Sequence, residues 1–170
     1  MDKRDALRYR IAPLEMTPSE FRKVGRQLVE RIAEFLCMLP YRPVTPNESP
    51  NVIREALGIG SLPDQGAEAR DLLEEAATLL FEHSTFNGHP RFMGFITSSA
   101  SPIGALGDLL AAAVNPNVGG WIDSPMGTEI EAQTVRWIAE LIGYPTDCCG
   151  LLVSGGNMGN FVGFLAARKA

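Results

Sequence analysis

The residues best suited to chemistry are the glycines of "GLLVSGGNMGN", residues 150–160. An apolar run, then Gly155-Gly156, then a helix start near Asn157 gives a strand, a tight turn and a helix. Glycines at such a turn let a ligand approach the backbone closely, and the first helical N–H groups then point at an anion such as a phosphate. The Asn157 side chain can add a donor or cap the helix. The glycine spacing is not that of a dinucleotide fingerprint, and no Gly-Lys-Ser/Thr follows as in a P-loop. The same residues also suit a plain tight turn, and this stretch alone leaves both readings open.

A second stretch, "GHPRFMGFITSS" at residues 88–99, brings together His89, Phe92, Phe95 and several hydroxyls. By residue type alone it reads as a buried connector with a satisfied histidine. His83 and His89 are the only histidines, and Cys37, Cys148 and Cys149 have the wrong spacing for a zinc site, so no metal is expected. Ser98, Ser99 and Ser101 lack the strand and Gly-x-Ser-x-Gly setting of a hydrolase nucleophile. Glu129 and Glu131 stand two apart and cannot share a helix face, which argues against a glycosidase acid pair. Their expected place is the early part of a helix, where the macrodipole favours acids. Cys148-Cys149 reads as loop or core, and Trp121 and Trp137 as packing residues.

The elements that must position these residues follow from capping signals and periodicity. Thr17-Pro18-Ser19-Glu20 is a helix start with a capping box, and Phe21, Val24, Leu28, Ile32 and Phe35 continue it at spacings of three and four. "LPYRPVTPNESP" is a proline-rich extended connector. A short helix is expected near "NVIREAL". A longer one spans Ala67–Phe81, with an apolar face of Leu72, Leu73, Ala76, Leu79 and Leu80. Asn87-Gly88 is a turn leading into an aromatic-rich extended segment. Ser101-Pro102 opens a helix to about Val114. Ser124-Pro125 opens another, whose buried side is Ile130, Thr134, Ile138, Leu141 and Ile142 and which Gly143-Tyr144-Pro145 ends. "LLV" reads as a strand buried on both faces of a parallel sheet, although the chain offers almost no other strand. A missing sheet and a closing helix without a stop signal point to an incomplete domain.

The 170 residues carry a net charge of -5 and are 45% hydrophobic, which is enough for an ordinary globular core and gives no basic footprint for nucleic acid or an anionic membrane. "MDKRDALRYRIAP" lacks the apolar centre of a signal peptide, and "IGALGDLLAAAV" is too short to cross a bilayer. Three cysteines, two of them adjacent, suggest no disulfide framework, so a reduced cytoplasm is expected.

Taken in order, three stretches resemble the pyridoxal-phosphate-dependent amino-acid decarboxylases of the aromatic-amino-acid/glutamate decarboxylase group. "HPRFMGFITS" resembles the family's His-Pro-x-Phe segment and "SPMGTEIE" its Ser-Pro-x-x-Thr-Glu-x-Glu helix start. "GLLVSGGNMGNFVGFLAAR" resembles its phosphate turn and the helix that follows. The resemblance runs from about residue 17. It implies an α/β, fold-type-I enzyme of which this chain holds the mostly helical N-terminal part. Residues 1–86 would form a segment that packs on a partner subunit, and residues 87–170 the start of the large cofactor-binding domain. The active site would lie at a homodimer interface. Carried over by position, Gly155, Gly156 and Asn157 hold the phosphate of pyridoxal 5′-phosphate, and relatives often have Ser or Thr where Asn157 stands. Phe95 and Ser98 fall on the segment that lines the amino-acid pocket. Aromatic-specific relatives tend to have Tyr-Phe-Pro where this chain has Phe95-Ile96-Thr97.

The implied reaction converts an L-amino acid to its amine and carbon dioxide, with the cofactor ring as electron sink. It needs a lysine that holds the cofactor, an acid paired with the ring nitrogen and a group stacked on the ring. Lys3, Lys23 and Lys169 are the only lysines and none lies in the family's lysine context, so that lysine is expected beyond residue 170. The 170 residues alone are expected to show no decarboxylase activity and to bind the cofactor weakly or not at all. The alternatives are another fold-type-I lyase, such as an aldehyde-releasing one, and a non-catalytic dimerising module.

Overall fold

The computed structural model describes residues 15–58 and 60–169. Their elements, in chain order, are α1 (Pro18–Met38), a 3₁₀ turn (Leu39–Tyr41), α2 (Pro50–Leu57), α3 (Ala69–His83), α4 (Pro102–Val114), α5 (Pro125–Leu141) and α6 (Gly156–Lys169). Four of the helices begin at a proline that follows Thr17, Ser49, Ser101 or Ser124. Proline has no N–H to leave unsatisfied at that position, and its fixed φ is already helical. At α1 the Thr17 hydroxyl accepts from the Glu20 N–H at 3.2 Å while the Glu20 carboxylate accepts from the Thr17 N–H at 2.8 Å, the predicted capping box. The proline-rich connector is less extended than its composition suggests, since Leu39–Tyr41 closes one helical turn and Pro50 opens α2.

The chain divides after Ala100 into two compact units. In the first, α1 packs on α3 and α2 on α3. Phe35 of α1 stacks face to face on Phe81 of α3, with centroids 4.3 Å apart, and meets the Phe86 ring at 5.3 Å. Such pairs contribute about 0.5–1.5 kcal/mol beyond burial alone. The Arg42 guanidinium lies 5.8 Å from both the Phe35 and Phe86 centroids and pairs with Glu82 at 2.7 Å. Arg31 pairs with Glu74 across the α1–α3 contact. The connector is strapped to the end of α3 by Phe86 N–H to Val44 O (2.9 Å), the Thr85–Thr45 hydroxyl bond (3.1 Å) and the Glu48–His83 pair (2.7 Å). Among the described residues of this unit, Leu39, Ala77, Phe86 and His89 are buried.

In the second unit α4, α5 and α6 do not pack on one another among the described residues. Instead α5 gathers the flanking loops. The predicted inner faces are largely open: Ile138 is 45% exposed, Ile130 56% and Leu141 85%, while Ala139 is buried. On α3, likewise, Leu72 and Leu80 are exposed and Ala77 is the buried position.

The predicted strand is not formed. Residues 151–153 are outside any ladder, and the described residues contain no strand. A strand needs a neighbouring backbone to take its N–H and C=O groups. Here the Leu152 N–H goes to a side chain, the Glu131 carboxylate, at 2.7 Å.

Candidate functional site

The glycine turn is set by local backbone geometry. The Gly155 N–H reaches back to Val153 O at 2.8 Å, and Gly155 has φ +95°, a region that residues with a Cβ rarely enter. α6 starts at the next residue, with Gly159 N–H bonded to Gly155 O at 3.1 Å. The N–H groups of Gly156, Asn157 and Met158 therefore precede the first intrahelical bond and are free to meet an anion. A Cβ placed at Gly155 or Gly156 would meet nothing within 4 Å, so the backbone there is open to a ligand.

What holds this turn was not evident from residue types. Glu131 and Val135 lie one helical turn apart on α5, and both are half-buried while most of that helix is exposed. Glu131 takes the Leu152 N–H. A Cβ at Gly150 would sit 2.8 Å from Val135 Cγ1, so only glycine lets the chain pass this close. Neither acid of the pair lies in the first turn of α5, where the macrodipole would favour it. Glu129 instead accepts from Trp121 Nε1 at 2.9 Å, which fastens the loop before α5. Trp121 and Trp137 are both more than half exposed, so packing is not their main role in this unit. Gly127 completes the arrangement: a Cβ there would lie 2.5 Å from Ser124 Oγ and 3.0 Å from Val118 Cγ1. Partners 8 and 21 residues apart leave no periodic signal, and only an isolated glycine such as Gly150 hints at a close approach.

The second predicted stretch belongs to the first unit. His89 is 3% exposed, and its Nδ1 accepts from the Arg91 N–H at 3.0 Å. The predicted satisfied histidine is satisfied on one side: Nε2 has no partner among the described residues. Phe92 N–H bonds to His89 O at 2.9 Å, so the stretch opens as a folded turn. Phe95 has φ +59°, uncommon for an aromatic residue, and is 89% exposed with its ring 6.3 Å from that of Phe92. Ser98 is exposed. Phe95 and Ser98 thus fall in one unit and Gly155, Gly156 and Asn157 in the other. A cleft of about 460 Å³ between α1 and α3 is lined by Arg31, Glu34, Arg70, Asp71 and Glu74, and includes none of these residues. No group of three or more His, Cys, Asp or Glu is placed to hold a metal among the described residues, and no described helix is long and apolar enough to cross a membrane.

Comparison with known proteins gives the family. Residues 53–170 match the family described as "Pyridoxal-dependent decarboxylase conserved domain", and the chain belongs to it. It is similar to an aromatic-L-amino-acid decarboxylase of Bacillus atrophaeus, with 30% identity over 92% of this chain and 32% of the relative. It is also 30% identical to a phenylacetaldehyde synthase of Petunia hybrida, over 85% of this chain and 28% of that protein. The fold is similar to the crystal structure of Oryza sativa TDC with PLP and tryptamine, with TM-score 0.69 and 26% identity over 80% of this chain and 28% of that one. The chain thus spans about a third or less of the length of these relatives.

Proposed function

We propose that this chain supplies the phosphate-holding turn of an enzyme that decarboxylates an L-amino acid with pyridoxal 5′-phosphate. The observation that carries the reading is the turn itself: Gly155 at φ +95°, an open backbone at Gly155 and Gly156, and the unbonded first N–H groups of α6. These fit a phosphate, because the macrodipole and the free N–H groups both favour an anion there. When bound, the cofactor supplies an electron sink for the bond that breaks at the α-carbon. The residues of this chain bind and orient. Gly155, Gly156 and Asn157 hold the phosphate: Gly156 and Asn157 by backbone N–H groups, with the Asn157 amide as a further donor, and Gly155, whose N–H goes to Val153 O, by the positive φ that lets the backbone turn around the anion. Phe95 and Ser98 line the amino-acid side, and the strained backbone of Phe95 supports a positioning role, since such strain gathers at ligand-binding segments.

The wider architecture belongs to the same proposal. The fold is the α/β, fold-type-I arrangement, with residues 1–86 as the dimer-packing segment and 87–170 beginning the cofactor domain. Exposed Phe21 and Val29 on α1 support a homodimer as the working form. The three free thiols support a cytoplasmic setting. A second reading, an aldehyde-forming lyase, is favoured by the phenylacetaldehyde synthase among the relatives.

The test uses the protein as its gene encodes it, incubated with pyridoxal 5′-phosphate and a panel of L-amino acids. Carbon dioxide and the matching amine are expected. Carbon dioxide with an aldehyde would favour the second reading. A visible cofactor absorbance band with no carbon dioxide from any amino acid would overturn both.

A further inference from the structure

We propose that Glu131 is a positioning residue for the glycine turn: from α5 it grips the Leu152 N–H and so sets the direction in which the Gly155–Asn157 backbone faces its anion. The proposal rests on the phosphate reading of that turn and adds the group that aims it.

The segment leading to the turn is held at successive points. The Cys148 N–H bonds to Pro145 O at 3.3 Å, and Gly150 lies against Val135. Leu152 N–H meets Glu131 Oε1 at 2.7 Å, and Gly155 N–H then closes on Val153 O at 2.8 Å. Among the described residues, the Glu131 bond is the one hydrogen bond that joins residues 150–153 to another element. Among the described residues no strand neighbour shares the task. A carboxylate accepting from a backbone N–H makes a stronger bond than a neutral acceptor would. Its placement also explains an oddity, a carboxylate close in space to the lead-in of an anion site. The Glu131 charge is directed at the Leu152 N–H, ahead of the N–H groups that face the ligand. Val135, one turn along the same face, sets the distance of the segment from α5, and Glu131 sets its rotation.

Amide hydrogen exchange and pyridoxal 5′-phosphate binding test this in the full gene product. In Glu131→Ala, exchange across residues 150–157 should rise about tenfold, the factor expected for losing a charge-assisted bond. Exchange in α1 and α3 should be unchanged, and cofactor affinity should fall by a similar factor. Glu131→Gln keeps an acceptor oxygen at the same reach and should restore most of both. Glu129→Ala frees Trp121 but leaves Leu152 held, so its exchange at 150–157 should match wild type. Unchanged exchange at Leu152 in Glu131→Ala overturns the proposal, as does faster exchange with full cofactor affinity. Wild-type protein that binds no pyridoxal 5′-phosphate defeats the phosphate reading itself, an outcome visible before any variant is made.

Discussion

Replacing Gly150 by alanine tests the packing beneath the glycine turn with a single methyl group. Gly150 is not among the left-handed glycines, so its backbone conformation is open to alanine. The obstacle is Val135 Cγ1, 2.8 Å from the new Cβ against an ordinary contact of 3.4–4 Å. Valine in a helix is confined almost to one χ1 rotamer, so it cannot swing aside. Overpacking of this kind costs about 1–3 kcal/mol, and the lost freedom of the unfolded chain returns about 0.4–1 kcal/mol. The net expectation for Gly150→Ala is a loss of about 1–2 kcal/mol. In a Val135→Ala background the obstructing methyl is gone, and the same substitution should be neutral or stabilising. The double-mutant cycle should therefore show a coupling of about 2 kcal/mol. Urea denaturation followed by tryptophan fluorescence reads this unit selectively, because Trp121 and Trp137 are the only tryptophans and both belong to it. An equal effect of Gly150→Ala in both backgrounds would refute the steric account.

Three further outcomes are expected. Gly155→Ala should cost about 1–2 kcal/mol because φ +95° is unfavourable for a residue with a Cβ, whereas Gly156→Ala, helical and facing open space, should be neutral or mildly stabilising by the same denaturation assay. Arg42→Ala should destabilise the first unit by about 1–2 kcal/mol through loss of the Glu82 pair and the two ring contacts, and Arg42→Lys should recover less than half of that, as thermal unfolding by circular dichroism would show. Glu20 titrates below its ordinary value of 4.5, chiefly because the Thr17 hydroxyl donates to its carboxylate. Its depressed value means that the cap is fully present above the unfolded-state value and is lost as pH falls through the folded one. Amide shifts of residues 17–20 followed by NMR should move together over that acid range, and Thr17→Ala should shift the Glu20 titration upward.

Much of this protein was legible before any fold was known, wherever the cause is local. The capping box at Thr17 and the Ser/Thr-Pro starts of α1, α4 and α5 depend on residues within one helical turn of each other. So does the left-handed stop at Gly143, with φ +71°. The glycine turn was legible for the same reason, since φ +95° and a free helix start are properties of residues 153–159 alone.

The supports of that turn were decided only in three dimensions. Spacing alone assigned Glu129 and Glu131 to the helix macrodipole, but in space they divide the labour, one holding Trp121 and the other Leu152. "LLV" has the composition of a buried strand, yet composition cannot provide the neighbouring backbone that a ladder requires. The same limit applies to Val135 and Gly150, whose contact joins positions far apart along the chain. Local geometry shaped the turn, and a carboxylate on another helix determines how it is held, because a hydrogen bond depends on distance in space and not on separation in sequence.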